Sequence, residues 1–186
     1  MKLENLIDNA TTDKNTTHSY LDTYETLFSP MKDTAQNILE IGVQHCGSIK
    51  LWNDYFTNAN IYGLDINEYP EMNDLRKRER VNININNAYN VDFIKTEFID
   101  KNIKFDVIID DGPHSLESMK FFAQYYSELL NVNGVLIIED VQDINWVPTI
   151  INSFPSKYKD NNKIYSVDLR KNKCRYDDIL IVCKND

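Results

Sequence analysis

Four groups of residues in this chain have types and spacings that suit chemistry. The first is Leu39-Glu40-Ile41-Gly42-Val43-Gln44-His45-Cys46-Gly47-Ser48, an apolar run ending in a turn with two glycines. Gly42 lets the backbone turn sharply and approach a ligand. Gly47 and Ser48 fall where a following helix would present free N–H groups. The second is Asp65, closing Tyr62-Gly63-Leu64-Asp65, about 20 residues past the glycine turn, where a carboxylate can accept hydrogen bonds from ribose hydroxyls. The third and fourth are Asp110-Asp111-Gly112-Pro113-His114 and Glu139-Asp140, which end two further apolar runs.

The chemistry of the first pair is nucleoside binding. The turn reads E-x-G-x-x-x-x-G and lacks the G-x-G-x-x-G layout that cradles a pyrophosphate, so a ligand without phosphate is expected. Glu40 is placed to anchor the far end of such a ligand, directly or through water. The chemistry of the second pair is cation binding and proton transfer. Carboxylates converging on one crevice repel unless a cation or protons intervene. Mg²⁺ or Mn²⁺ is the expected cation, with Asp111, Glu139 and Asp140 as ligands. His114, three residues past Asp111, is the candidate general base for a substrate hydroxyl whose pKa the metal lowers. Asp110 either faces the ligand or holds the turn.

The elements that must position these groups follow from periodicity. Strands are predicted at Asn37 to Ile41, Ile61 to Asp65, Val81 to Ile85, Phe105 to Asp110 and Val135 to Glu139. Helices are predicted at Ile49 to Phe56, about Val91 to Ile99, Leu116 to Leu130 and Asp143 to Phe154, the last distorted near Pro148. This alternation predicts a doubly wound α/β domain with a mostly parallel sheet and helices on both faces. Ile164 to Leu169 and Ile179 to Cys183 predict a terminal hairpin, giving a seven-stranded sheet with an antiparallel C-terminal strand. A helix over Ser19 to Met31 lies outside the alternation. The expected organisation is one domain, with residues 1–36 a helical segment or lid and 37–186 the core.

Bulk properties narrow the partners. The 186 residues carry a formal charge of −9, which disfavours a phosphate-backbone substrate, and nucleic acid is not expected. The basic cluster Arg76-Lys77-Arg78 with Arg80 is diluted by Glu71, Asp74 and Glu79 and reads as a solvated helix face. Cys46, Cys174 and Cys183 show no CxxC pairing, so neither a disulfide framework nor a zinc site is expected. The N-terminus lacks a signal-peptide layout, and no apolar run reaches the roughly 20 residues that span a bilayer. A cytoplasmic location and no membrane partner are expected. Base rate alone sets the oligomeric expectation, a homodimer.

Together these motifs resemble one family. Thr12-Asp13-Lys14 with His18, Tyr20 and Tyr24 is similar to the "TDK…HxY…Y" entry of a group of class I S-adenosylmethionine-dependent methyltransferases. The glycine turn, Leu51-Trp52, Asn60 to Asp65, the "DDGSH"-like Asp110 to His114, the "EDV"-like Glu139 to Val141 and the final strand also match. The group includes the macrocin O-methyltransferase type, which methylates sugar hydroxyls with a divalent metal, and cephalosporin-hydroxylase-like relatives. The resemblance implies a Rossmann-like fold and S-adenosylmethionine near Gly42 and Asp65, leaving as S-adenosylhomocysteine. It implies Mg²⁺ or another divalent ion on Asp111, Glu139 and Asp140, with His114 as base. The substrate class it implies is a sugar, a glycoside or another small polar metabolite. Thr12, Lys14 and Tyr20 are implied to line the site. Two departures stand out. Cys46 replaces a frequent glycine, and Asn86-Asn87-Ala88-Tyr89-Asn90 replaces "GDQSD", leaving Asn87 to meet the adenine amino group. An NAD-dependent oxidoreductase, a non-catalytic binding module or inactive partner subunit, and a nucleic-acid methyltransferase are the competing readings.

Overall fold

A computed structural model describes residues 1–159 and 163–185. Among them, seven strands form one sheet: β1 Asn37–Ile41, β2 Asn60–Asp65, β3 Val81–Ile85, β4 Phe105–Asp110, β5 Leu130–Ile138, β6 Ile164–Asp168 and β7 Ile179–Asn185. Their spatial order is β3-β2-β1-β4-β5-β7-β6. The pairs from β3 through β5 are parallel, and β7 runs antiparallel to both β5 and β6. The expected doubly wound sheet and its antiparallel last strand are therefore present.

Period-two alternation builds two cores. Ile38, Val107, Ile109, Val135 and Ile137 point to one face, while Leu39, Ile41, Ile108, Leu136 and Ile138 point to the other. On the first face lie α1 (Leu21–Phe28) and α2 (Gly47–Tyr55), whose Tyr24, Phe28 and Trp52 pack ring to ring at 5.3–5.6 Å. The short α3 (Met72–Leu75) joins them. The second face carries α4 (Val91–Ile94), α5 (Leu116–Tyr125), α6 (Val147–Ser153) and α7 (Ser156–Lys159). A last short helix, α8 (Arg170–Lys173), precedes β7. No helix of the described residues is long and apolar enough to cross a membrane.

Several boundaries differ from expectation for local reasons. The Val91 helix relaxes into a π-turn over Lys95–Ile99, and the Leu116 helix tightens to a 3₁₀ turn over Tyr126–Leu129. Pro148 sits in the first turn of α6, where its missing N–H breaks no bond, and a 3₁₀ turn over Ile144–Trp146 precedes it. The basic cluster extends beyond α3, and its charges are engaged. Arg78 pairs with Asp54 at 2.9 Å. Arg80 donates to the Asn53 carbonyl in the last turn of α2 and to the Phe56 and Ala59 carbonyls of the turn that follows it. The three cysteines are free.

Strand order reverses between β1 and β4, which opens a crevice at their carboxyl ends. Register makes those ends level. Ile41 pairs with Asp110 and Asp110 with Ile138, while the Asp111 amide donates to the Ile41 carbonyl at 2.8 Å. Gly42, Asp111 and Glu139 thus stand side by side, one step above the sheet.

Candidate active site

The glycine turn is shaped by close contacts. Gly42 has φ +87°, and a Cβ there would lie 1.9 Å from the Asp111 carbonyl oxygen. Only glycine lets β1 and the β4 loop approach this closely. Cys46, directly before α2, has φ +67° and is buried. A side chain in this left-handed conformation costs about 1 kcal/mol, which explains why glycine suits the position.

Asp65 holds the turn from β2. Its Oδ2 accepts from the Val43 and Gln44 amides, both at 2.9 Å, and its Oδ1 accepts from the Asn67 amide at 2.9 Å. Asp65 also borders a cavity of about 360 Å³ walled by Leu64, Asn67, Asn87, Tyr89 and Gly112. A carboxylate offers about four acceptor sites, so capacity remains for hydroxyl donors. Asn87 Oδ1 accepts from the Tyr89 amide at 2.9 Å, and the residue is exposed on the cavity wall. Asp110 turns to the same side and accepts from the Tyr89 hydroxyl. Burial pushes its carboxyl up to about 7, the Tyr89 hydroxyl opposing and the Asp111 charge reinforcing the shift.

A second cavity, about 340 Å³, adjoins the first through shared walls at Gly42, Gln44 and Asp111. It is bordered by Thr12, Gly47, Ser48, His114 and Asp140. His114 Nε2 stands 3.6 Å from Asp111 Oδ1 and 3.7 Å from Asp140 Oδ2. Its Nδ1 is buried without a partner. His114 and Asp140 both adopt positive φ, +52° and +54°. Such backbone strain re-aims side chains and concentrates at functional sites.

Below this cavity the N-terminal segment meets the strand ends. The Lys14 ammonium donates to Asp111 Oδ2 at 2.7 Å and to Glu139 Oε1 and Oε2 at 2.8 and 2.7 Å, and lies 3.3 Å from Glu40 Oε1. Burial disfavours this charge, yet Asp111, Glu139 and Glu40 hold it well above the usual lysine range. The Tyr24 hydroxyl donates to Glu139 and that of Tyr20 to Asp140. His18 Nδ1 lies 2.8 Å from Asp178 Oδ1 and 3.3 Å from Asp140 Oδ1. Glu40 Oε2 accepts from Ser48 Oγ at 2.6 Å and Trp52 Nε1 at 3.1 Å.

Of the expected site residues, Gly42, Gly47, Ser48, Asp65, Asn87, Asp111, His114, Asp140 and Thr12 border the two cavities. Asp110, Lys14, Tyr20, Glu40 and Glu139 border neither; Asp110 is engaged by the Tyr89 hydroxyl, and the other four form the floor beneath. Glu139 is turned inward, its two oxygens engaged by Lys14 and Tyr24. Asp178, fully buried beside His18, and Tyr89, on Asp110, escape sequence reasoning. The one signal for Asp178 is a pair of acids abutting an apolar strand.

One ligand atom from each of Asp111, His114 and Asp140 lies within 4.8 Å of the others, and two of the three residues are carboxylates. That donor set fits a hard divalent ion.

No family model matches the chain. Over 155 residues, 78 % of the chain, it is 29 % identical to 8-demethyl-8-alpha-L-rhamnosyl tetracenomycin-C 2'-O-methyltransferase of Streptomyces olivaceus, across 38 % of that protein. Over 141 residues, 69 % of the chain, it is 29 % identical to mycinamicin VI 2''-O-methyltransferase of Micromonospora griseorubida, across 33 % of it. Demethylmacrocin O-methyltransferase of Streptomyces fradiae is 26 % identical over 69 % of the chain, across 33 % of its own length. The chain thus spans between a third and two fifths of these curated relatives. Among solved structures, the MycE methyltransferase from the mycinamycin biosynthetic pathway, in complex with Mg and SAH, superposes over 100 % of the chain and 55 % of its own. The TM-score is 0.73 at 19 % identity. A putative rRNA-methylase from Clostridium thermocellum gives a TM-score of 0.67 at 14 % identity, over 90 % of this chain and 95 % of that one. The chain therefore has the Rossmann-like fold of class I S-adenosylmethionine-dependent methyltransferases, and the resemblance read from its motifs extends to named sugar O-methyltransferases of the macrocin type.

Proposed function

We propose that this chain is an S-adenosylmethionine-dependent, divalent-metal-assisted O-methyltransferase acting on a hydroxyl of a glycosylated small molecule. The observation that carries the reading is the junction of two cavities at Asp111: one of about 360 Å³ bordered by Asp65 and Asn87, and an acidic one bordered by His114 and Asp140. Two relatives carry the names of O-methyltransferases of a rhamnosyl tetracenomycin-C and of mycinamicin VI, which supports the acceptor class.

Asp65 accepts from the ribose hydroxyls while keeping the glycine turn in place. Asn87 meets the adenine edge. Free N–H groups at the start of α2 receive the amino-acid carboxylate. S-adenosylmethionine supplies an electrophilic methyl that needs only in-line attack, so positioning carries much of the rate. Asp111 and Asp140 would hold the divalent ion, with His114 beside them. When bound, that ion lowers the pKa of an acceptor hydroxyl and fixes its direction. His114 Nε2 takes the hydroxyl proton. The left-handed backbone at His114 turns the ring toward the cavity.

The test is transfer of a labelled methyl group from S-adenosylmethionine to a panel of rhamnosides and other glycosides, with Mg²⁺ or with EDTA. Product that requires both acceptor and metal supports the reading. Transfer undiminished by EDTA removes the metal from it, and no transfer to any glycoside removes the acceptor class.

A further inference from the structure

Lys14 is 1 % exposed, and its ammonium is ringed by carboxylates of Glu40, Asp111 and Glu139 at 2.7–3.3 Å. One ligand atom from each of these three acids lies within 4.8 Å of the others, a spacing suited to a metal ion. Glu40 Oε1 is buried, has no hydrogen-bond partner and points into the nest. Asp111 faces two ways: Oδ2 meets Lys14, and Oδ1 is directed at His114 and the cavity.

We propose that Lys14 is a built-in cation occupying a latent divalent-ion site formed by Glu40, Asp111 and Glu139. Three carboxylates, two of them buried and Asp111 partly so, repel strongly without a cation. The ammonium donates to Asp111 and to both oxygens of Glu139, and it holds Glu40 by charge at 3.3 Å. Because the lysine is covalently present, the nest never competes for metal. An ion added to the protein is confined to the cavity side of Asp111, beside Asp140 and His114. Removing the ammonium and its volume opens the nest to a second ion with three hard oxygen ligands. The inference rests on the reading of Asp111 and Asp140 as metal ligands only for where the first ion goes.

The experiment counts Mn²⁺ ions on the full chain by calorimetry and by spin resonance, in wild type, K14A and K14M. K14A should bind one ion more than wild type. K14M removes the charge but fills the space, and should gain none. Without metal both variants should melt below wild type, and Mn²⁺ should raise the midpoint of K14A more than that of K14M. An equal ion count in K14A and wild type overturns the proposal. So does an equal gain in K14M, or a K14A chain that stays unfolded at saturating Mn²⁺. If wild type binds no ion and K14A binds one, the latent site stands and the assignment of Asp111 and Asp140 as a resident metal site falls.

Discussion

A Cβ added to Gly47 would lie 2.1 Å from the carbonyl oxygen of Thr11. The first turn of α2 and the N-terminal segment therefore touch backbone to backbone, and this contact roofs the acidic cavity next to Thr12. Gly47→Ala should push the segment away and lower stability by about 1–3 kcal/mol, the usual cost of overpacking. Urea unfolding measures the loss, and proteolysis should cut the variant faster between residues 8 and 20. Unchanged stability and cleavage would show that the segment packs elsewhere.

Cys46 carries a side chain at φ +67°. Replacement by glycine relieves the left-handed strain, and replacement by alanine does not. Cys46→Gly should be about 1 kcal/mol more stable than Cys46→Ala by denaturant midpoint. Both lose the same buried thiol, so the difference reports the backbone strain less the small contribution of the alanine Cβ. The opposite order would contradict the turn geometry.

Burial holds the Asp110 carboxyl near 7, against 3.8 as its ordinary value. The folded state therefore favours the protonated form. This contribution to stability is complete below about pH 4 and declines as pH rises through 7, by roughly 1.4 kcal/mol per pH unit inside that window. Glu40, Glu139 and Asp140 are also raised by burial and act in the same direction. Asp110→Asn keeps an acceptor for Tyr89 and should flatten part of the slope. A slope identical to wild type would place the Asp110 carboxylate in a wetter setting.

His114 is assigned the base. His114→Ala should lower kcat by roughly 10²–10⁴-fold and leave S-adenosylhomocysteine affinity within a few-fold of wild type. Equal loss of both would make the ring a binding group.

The doubly wound sheet and the crevice were legible because β1 and β4 are apolar runs bounded by Gly42 and by Asp111-Gly112. The true start of β5 at Leu130 was hidden by the polar Asn131, Asn133 and Gly134. Which acids face the crevice was not legible. Asp110 is engaged by Tyr89 and borders neither cavity while Asp111 borders both, and the left-handed backbone of Asp140 redirects its carboxylate. The motifs named the floor residues Lys14, Tyr20, Glu40 and Glu139, but not which partner each one meets. Lys14 meets Asp111 across 97 residues, Tyr20 meets Asp140 across 120, and His18 meets Asp178 across 160. Local periodicity carries no information at such separations.

Calorimetry with S-adenosylmethionine and S-adenosylhomocysteine, with and without Mg²⁺, on wild type and Asp65→Ala is the decisive measurement. Micromolar-range binding is predicted for wild type. Asp65→Ala should weaken it by about 10- to 100-fold, as charge-assisted hydrogen bonds to the ribose are lost. No binding of either ligand by the folded wild-type chain would contradict the methyltransferase reading and leave the fold without its cofactor.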